Sequence, residues 1–438
     1  MQRSILRGFI TYASLNAAGM LGLSCYILAD TFFVSLALGA EGLAALNLAI
    51  PIYSFLNGSG LMVGMGGATK YAIQKSQNDH SAANRTFTNA CYLVAALAVL
   101  FVLAGIFFPG TIVALFGGEG AVYTMSRTYL RVLLLFAPAF LANNLLLCFV
   151  RNDGAPQLAM AAMLTGSFSN VVLDWVFLFP CGMGIFGAVF ATGLAPLISI
   201  LVLSPHFLRR KNQFHLTRCP LEGRRAAGIL SSGAPSLVTE VSSGVVMIVF
   251  NSILLSQAGN VGVAAYGVIA NLSLVVLSLY TGIAQGIQPI ISRSHGVGDR
   301  AAVRATLRYA LVTVLGLSLL LYAIIFFGAS PIARIFNSEG DPMLQSIAAW
   351  GLQLYFLACP FAGFNIILSQ YFTATEKPRP AQAISLLRGF FLILPLAFLF
   401  SWLGGLTGTW CAFPAAEALV AALGLWLLLA GAKKEGAL

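Results

Sequence analysis

Residues 87–108 read FTNACYLVAALAVLFVLAGIFF and carry no charged side chain. An α-helix rises about 1.5 Å per residue, so a run of this length reaches across the ~30 Å hydrocarbon core of a bilayer. The stretch predicts a membrane-spanning helix. Apolar runs of the same kind recur along the whole chain, and together they decide the fold.

The composition excludes a soluble globular protein. Of 438 residues, 59% are hydrophobic and only 9% are charged, whereas soluble domains devote roughly a quarter of their residues to Asp, Glu, Lys and Arg. The seven cysteines form no CxxC pair and lie mostly in apolar runs, which favours small buried side chains over a disulfide or zinc framework. We expect an all-α polytopic membrane protein with almost no aqueous domain.

Charges and turn residues divide the chain into twelve predicted membrane-spanning helices. The first apolar run is longer than a signal-peptide core, so we expect it to remain as the first helix. The predicted spans lie near 9–38, 43–69, 87–108, 123–150, 157–180, 185–208, 227–257, 262–292, 302–328, 344–374, 380–402 and 406–432.

The positions of the basic residues predict the orientation. One set of loops and adjoining helix ends carries 21 of the 24 Lys and Arg, and the other set has only Arg127, Arg131 and Arg334. Such an imbalance marks the basic side as cytoplasmic, with both termini on that side of the cell membrane. The net charge of +10 is thereby explained without a nucleic-acid partner. The dense basic run over 209–226 is interpreted as a topology signal rather than a ligand site.

The two halves of the chain resemble each other at a shift of about 220 residues. Matching pairs include Gly39 with Gly259, Asp79 with Asp299, Glu119 with Glu339 and, after a two-residue insertion, Asn143 with Asn365 and Pro156 with Pro378. Six helices per repeat give both copies one orientation, related by a pseudo-two-fold axis along the membrane normal. We predict two six-helix bundles, an N-terminal lobe over 1–208 and a C-terminal lobe over 227–438, joined by a basic linker over 209–226.

Four acidic residues lie within predicted spans, namely Asp30, Asp174, Glu240 and Glu417. An ionised carboxylate at the centre of a membrane helix costs about 2.5–3.5 kcal/mol on insertion scales, so each needs a cation, a proton or a polar cavity. No Lys, Arg or His is placed deep enough by the sequence to pair with them. The compensating charge is therefore expected to come from solution.

Three of the predicted helices place polar groups at one depth. Counted from the outer turns, Asp30, Asp174 and Thr192 each lie about 12–15 Å below the surface. Asn170 and Asp174 are four residues apart and share a helix face. Such a set suits Na⁺ or another hard monovalent cation, and it equally suits a proton, because two nearby carboxylates do not both ionise easily. The opposing interpretation is an interfacial aspartate with helix-packing neighbours.

The remaining two acids are less distinctive. Glu240 lies about nineteen residues from its outer turn, near or below the midplane, in a helix that begins with Gly233, Ala234 and Pro235. Three interpretations of Glu240 stay open: contact with a cationic substrate, a role in coupling, or a buried protonated acid that is hydrogen-bonded to a neighbour. Glu417 has no accompanying motif and is interpreted as structural.

No pattern typical of an enzyme is present in the sequence. A Walker-type glycine loop is absent, and the four histidines lie in or beside predicted cytoplasmic loops, which leaves no intramembrane histidine metal site. The glycine-rich stretch from Gly58 to Gly67 is better explained by close helix packing. We expect no cofactor apart from Na⁺ as a candidate coupling ion.

The chain resembles the multidrug and toxic compound extrusion (MATE) transporters, nearer the DinF and MepA type than the NorM type. The resemblance covers essentially the whole length. Its carriers, in chain order, are Asp30 within LADTFFV, the turn from Gly39 to Ala45, the glycine-rich second helix, Asn170 with Asp174, and the GAPS segment that starts at Gly233.

The resemblance implies a V-shaped pair of bundles that exports amphipathic, often cationic compounds in exchange for Na⁺ or H⁺. Family members have an N-lobe cation site whose matching positions are Asp30, Asn170, Asp174 and Thr192. A fourth-helix asparagine borders that network, and Asn144 or Asn143 is the match here. The predicted tenth helix lacks the acidic residue of NorM-type members, so a C-lobe cation site is not expected, and Glu240 would act without it.

The sequence thus predicts a cation-coupled antiporter that exports amphipathic organic compounds by alternating access and works as a monomer. A flippase for a lipid-linked precursor is the alternative, and it would need cationic residues inside the spans to meet phosphate. A passive channel is disfavoured by the two-lobe repeat.

Overall fold

A computed structural model describes residues 2–337 and 340–434. Two of the acids that the sequence assigns to loops, Glu339 and Glu435, lie outside the described residues. Throughout the described ranges the ordered elements are helices, and none is a strand. Almost every backbone group can therefore be satisfied within its own helix, as the hydrocarbon core of a membrane requires.

Thirteen α-helices follow one another along the described chain. Two shorter elements interrupt them, a 3₁₀ turn at Phe356–Ala358 and a π-helical turn at Leu387–Phe391. The α-helices are α1 Gln2–Ser76, α2 His80–Phe107, α3 Pro109–Leu115, α4 Gly120–Leu135, α5 Ala137–Asn152, α6 Pro156–Leu178, α7 Gly184–Leu208, α8 Gly223–Gly296, α9 Arg300–Phe336, α10 Pro342–Tyr355, α11 Cys359–Ala374, α12 Pro378–Leu386 and α13 Ile393–Lys434.

Three long helices are each interrupted by a glycine in a conformation that other residues rarely adopt. Gly39 in α1 has φ 66° and ψ −154°, Gly259 in α8 has φ 61° and ψ −150°, and Gly405 in α13 has φ 54° and ψ −134°. Without a Cβ, glycine reaches this region at little cost. Gly39 and Gly259 are also equivalent in the internal repeat, so each repeat places the same turn between its first two helices.

The helices are long and apolar enough for a multi-spanning membrane protein. In the part of the chain that the structure describes, eight helices pass this test, and the pair α4 and α5, bent by 49°, adds a ninth. Division of three of these at their glycine breaks gives twelve segments, close to the predicted boundaries. The predicted fold class, an all-α polytopic membrane protein, is confirmed.

Two local features differ from the prediction. The span predicted over 123–150 is broken at Phe136, directly before Ala137 and Pro138, because proline at the start of a helix has no N–H to continue the preceding one. The short helix α3 falls in a segment that the sequence suggested was a loop.

The chain forms two compact units. Unit N comprises Ser14–Val241 with Ser292–Arg300, and unit C comprises Met1–Ala13, Ser242–Ile291 and Ala301–Leu438. The boundaries predicted from the repeat, 1–208, 209–226 and 227–438, remain a prediction about how the two lobes are organised.

The segment between α7 and α8 is docked onto unit N. Phe214 is 1% exposed and packs against the rings of Tyr71, Phe87 and Phe149. The backbone N–H groups of the segment donate to side chains along α2: His215 to Asn84 at 2.9 Å, Thr217 to Thr88 at 3.0 Å and Glu222 to Asn89 at 2.8 Å. The predicted linker is therefore an ordered strap on this unit.

Candidate functional site

The four residues predicted to form a cation site come together in unit N. Asp30 lies in α1, Asn170 and Asp174 in α6, and Thr192 in α7. All four side chains are buried, with exposures of 7%, 0%, 0% and 4% in that order. The spacing of four residues places Asn170 and Asp174 on one face of α6, as the sequence suggested.

Close packing of α6 against its neighbours brings these side chains within reach of one another. A Cβ added at Gly166 in α6 would lie 3.2 Å from the carbonyl oxygen of Ala195 in α7, and one at Gly22 in α1 would lie 2.5 Å from the Leu164 side chain. Small residues let helix backbones approach closely in this way. The glycines therefore set the distance across which the polar groups meet.

Hydrogen bonds join the members of the cluster. The side-chain amide of Asn170 is oriented so that both its nitrogen and its oxygen have hydrogen-bond partners. Nδ2 donates to Oδ2 of Asp174 at 2.9 Å, and Oδ1 accepts from the Thr192 backbone N–H at 3.2 Å. The carboxyl groups of Asp30 and Asp174 lie close enough to interact directly. A hydrogen bond between them would require one of the two groups to carry a proton.

Each of the two carboxyl groups keeps one oxygen that the rest of the protein does not satisfy. Oδ1 of Asp30 and Oδ1 of Asp174 are buried with no hydrogen-bond donor from the protein. Among the described side chains, no Lys, Arg or His forms an ion pair with either aspartate. Carboxylate, amide and hydroxyl oxygens suit a hard cation such as Na⁺, and the carboxyl pair equally suits an exchangeable proton.

Three buried or half-buried tyrosines surround this cluster and were missed from the sequence. The hydroxyl groups of Tyr26 and Tyr53 lie 2.9 Å apart. The Tyr129 side chain is 4% exposed and lies beside Thr192 and the two aspartates. Tyr26 could have been found, because it precedes Asp30 by four residues on the same helix. Tyr129 comes from α4, whose position beside α7 no local signal reveals.

A second polar cluster in unit N includes the two residues predicted to line a substrate cavity. Asn57 lies between them: its Nδ2 donates to Oε2 of Glu240 at 3.2 Å, and its Oδ1 accepts from Nδ2 of Asn144 at 2.9 Å. Glu240 and Asn144 are both half-buried. Asn143, the other candidate from the fourth span, instead has a buried Oδ1 without a donor from the protein.

One prediction about the intramembrane acids is wrong. The sequence suggested that no basic side chain lies deep enough to pair with Glu417, yet Nη2 of Arg388 lies 2.7 Å from Oε1 of Glu417. Arg388 is grouped with the basic helix ends in the predicted topology, although it lies eight residues inside the predicted span over 380–402. The structure places it within the span, in the π-helical turn between α12 and α13. Asn365 completes this group by donating to Oε2 of Glu417 at 2.7 Å.

These arrangements define a class of protein. A chain of apolar helices with a buried carboxyl pair and a second acidic cluster has the features of a polytopic membrane transporter. Residues 17–176 and 235–399, well over half of the chain, match the family MatE. The chain belongs to this transporter family, as the resemblance in its sequence indicated.

Curated relatives extend over nearly the whole chain. The multidrug export protein MepA of Staphylococcus saprophyticus is 24% identical over 430 residues, which cover 97% of this chain and 94% of that protein. MepA of Staphylococcus aureus strain MW2 is 22% identical over 398 residues, which cover 90% of this chain and 87% of that protein.

Solved structures share the fold. An outward-facing multidrug resistance MATE family transporter of the MOP superfamily has a TM-score of 0.91 at 22% identity, with 98% of this chain and 96% of that chain covered. A Vibrio cholerae MATE transporter has a TM-score of 0.91 at 20% identity, with 99% and 98% covered. A MOP superfamily transporter from Pyrococcus furiosus has a TM-score of 0.90 at 23% identity, with 98% and 96% covered.

Proposed function

We propose that the protein exports amphipathic, mainly cationic organic compounds in exchange for H⁺ or Na⁺ by alternating access. The observation that carries this proposal is the buried Asp30 and Asp174 pair, in which each carboxyl group keeps an unsatisfied oxygen. The names of the MepA relatives support the substrate class, because they describe multidrug export.

The carboxyl pair supplies the coupling step. Two adjacent carboxyl groups away from water hold a proton or a cation tightly when the second charge has no other partner. On the outer side the cation neutralises the pair, and on the cytoplasmic side its release returns a negative charge to the cavity. One net charge moved through 100 mV supplies ~2.3 kcal/mol, which supports roughly fortyfold accumulation of an uncharged substrate outside. Exchange of one cation for one monovalent organic cation moves no net charge, so the concentration gradient of the ion drives it.

The orientation of this cycle follows from the charge distribution. The basic loops are proposed to face the cytoplasm, with both termini on that side, since 21 of the 24 Lys and Arg belong to that set. We place the protein in the cell membrane as a monomer. Cation entry from outside is then favoured by a negative-inside potential.

The second polar cluster is proposed to meet the substrate. Glu240 is half-buried and is held by Asn57, which in turn accepts from Asn144. A carboxylate at the edge of an apolar environment attracts an organic cation without a matching hydrogen-bond pattern. Such recognition suits substrates that share charge and amphipathic shape.

Transport in inverted membrane vesicles tests the proposal. We expect uptake of a cationic dye when a Na⁺ or a pH gradient is imposed separately, and loss of gradient-driven uptake in Asp30→Asn and Asp174→Asn. Glu119→Gln is the control, because that carboxylate is exposed and its side chain caps no helix. Full coupled uptake by both aspartate variants would contradict the proposal. Absence of gradient-driven movement for every cation would favour the lipid-precursor flippase or a passive channel.

A further inference from the structure

Unit C contains a buried carboxylate with a different environment. The Glu417 residue is 1% exposed, and its Oε1 accepts hydrogen bonds from Nε and Nη2 of Arg388 at 3.0 and 2.7 Å. Its Oε2 accepts from Nδ2 of Asn365 at 2.7 Å. Both carboxylate oxygens are therefore satisfied by the protein, unlike those of Asp30 and Asp174.

The guanidinium group is placed by a local change in helix geometry. Arg388 lies in the π-helical turn Leu387–Phe391, where the N–H of Leu392 donates to the carbonyl of Leu387 at 2.9 Å. A π turn adds one residue to an α-helix and often marks a functional position. The turn joins α12 and α13 into one span with the arginine inside it.

Each of the two charges lies well inside its own predicted span, Arg388 in 380–402 and Glu417 in 406–432. Arg388 follows Pro378 by ten residues and Glu417 follows Gly405 by twelve, or about 15 and 18 Å along a helix. The side chains are only 12% and 2% exposed. A charge at this depth is costly without a partner, so each of the two needs the other.

The internal repeat shows that the two halves of the chain neutralise their intramembrane carboxyl groups in different ways. The position equivalent to Asp30 is Phe250, and the position equivalent to Asp174 falls at Leu396, or at Ala397 if the extra π-turn residue is counted. Conversely, Arg388 corresponds to Gly166, where even a Cβ would lie 3.2 Å from a carbonyl oxygen. The first half has two intramembrane carboxyl groups without a basic partner. The second half has Glu240, which accepts from Asn57, and Glu417, which has its own cation in Arg388.

We propose that Arg388 acts as a built-in cation for Glu417 and thereby prevents unit C from binding a coupling cation. Ion coupling is then confined to Asp30 and Asp174. This inference rests on the proposed function and adds to it the origin of the asymmetry between the halves. Arg388 is a positioning residue, because it acts through Glu417 and not on the transported molecules.

Within the part of the chain that the structure describes, no second positive charge near Glu417 could replace Arg388. Among the described residues of the packed helices, the groups that face the carboxylate are Arg388, Asn365 from α11 and Tyr355 from α10. Of these, only Arg388 carries a positive charge. Without it, the carboxylate must take a proton or another cation from solution.

Purified protein in proteoliposomes tests the inference through the pH profile of coupled dye transport. We expect Arg388→Met to add a second proton-linked limb, up to about tenfold per pH unit. The double variant Arg388→Met/Glu417→Gln should return to the single limb of the wild type, and so should the conservative Arg388→Lys.

Each alternative result separates the inference from the proposed function. An unchanged pH profile in Arg388→Met would overturn the inference while the wild type remains coupled. Absence of coupling in the wild type would overturn both. If Arg388→Met fails to fold, the double variant Arg388→Met/Glu417→Gln is the test, because removal of both charges leaves no unpaired group. Coupling at the wild-type level in the double variant supports the inference. Loss of coupling in the double variant overturns it.

Discussion

Nζ of Lys75 lies 2.6 Å from Oδ1 of Asp153, a carboxylate whose side chain is fully buried at the end of α5. The same oxygen accepts from Tyr71 at 2.6 Å, and Oδ2 accepts from the Gln213 backbone N–H at 2.9 Å and contacts Nε2 of His206 at 2.9 Å. This single carboxylate therefore ties three helices of unit N to the strap that follows α7.

Replacement of Asp153 should destabilise unit N in a pH-dependent way. Burial raises the pKa of Asp153, but the hydrogen bonds from Lys75 and three further donors outweigh burial and hold the pKa below its usual range. A lowered pKa stabilises the fold above the unfolded value and ceases to do so as pH falls below about 4. We expect Asp153→Asn to cost about 3–5 kcal/mol at neutral pH, measured by thermal denaturation in detergent.

Acid conditions provide the internal check on this result. The difference in melting temperature between wild type and Asp153→Asn should shrink as the pH is lowered through the folded pKa. Asp79→Asn serves as a control, because Asp79 makes one N-cap bond to Ala82 and Asn caps a helix about as well as Asp, so this change should cost little stability. A difference that does not change with pH would show that the charge of Asp153 is not what stabilises the contact.

The aromatic anchor of the strap should control its docking. Phe214→Ala removes a ring that packs against Tyr71, Phe87 and Phe149, at a cost of about 3–5 kcal/mol. We expect faster hydrogen exchange of the segment 213–222, measured by mass spectrometry. Leu216→Ala is the matched control, since Leu216 is 70% exposed. Equal exchange in both variants would mean that the backbone bonds to α2 suffice.

Substitution of the glycines that break α1 and α8 should destabilise the protein. Ala at Gly39 or Gly259 would force an L-residue into φ near +60°, which costs about 1–3 kcal/mol at each position. Both variants should lower the melting temperature. Gly316→Ala should leave it unchanged or raise it, because that glycine lies in α9 with open space around it. A neutral Gly39→Ala would show that the turn relaxes without strain.

Much of the fold followed from the sequence because membrane spans obey a simple length rule. The turn at Gly39 and its repeat at Gly259 could be located in the sequence, because these glycines separate successive apolar runs at matching positions of the two repeats. The convergence of Asp30, Asn170, Asp174 and Thr192 was also predictable, since depth along a helix can be counted from a turn and four-residue spacing fixes a face. What the chain binds there remains a prediction.

The pair of Arg388 and Glu417 was not predictable for a physical reason. The two residues are 29 positions apart, and the helices that carry them meet only after the protein has packed. Residue counts also assume regular α-helix, and the π turn at Leu387–Phe391 breaks that assumption. Tyr129 was missed for a similar reason, because the polar residues that it lies beside are on other helices.

Loss of the Tyr129 hydroxyl should weaken cation binding at the proposed coupling site. The buried Tyr129 side chain lies beside Thr192 and the two aspartates, so its hydroxyl adds a polar group to the proposed site. A net hydrogen bond of about 1 kcal/mol corresponds to roughly fivefold in affinity. We expect Tyr129→Phe to raise the Na⁺ or H⁺ concentration for half-maximal transport by that factor. Tyr123→Phe, in the same helix but beside Gly110, should not change it.

Removal of the charge at Glu240 should separate cationic from neutral substrates. Glu240→Gln preserves the size of the side chain and a hydrogen-bonding oxygen for Asn57, so the cluster with Asn144 can remain in place. A charge-assisted contact contributes about 1.5–3 kcal/mol, so affinity for a cationic dye should fall by about tenfold or more. Affinity for a neutral amphipathic compound of similar size should be unchanged, measured by binding to purified protein. Glu41→Gln, on an exposed part of α1, is the control for a general loss of negative charge. Equal losses for the cationic and the neutral compound would mean that Glu240 shapes the cavity rather than attracting charge.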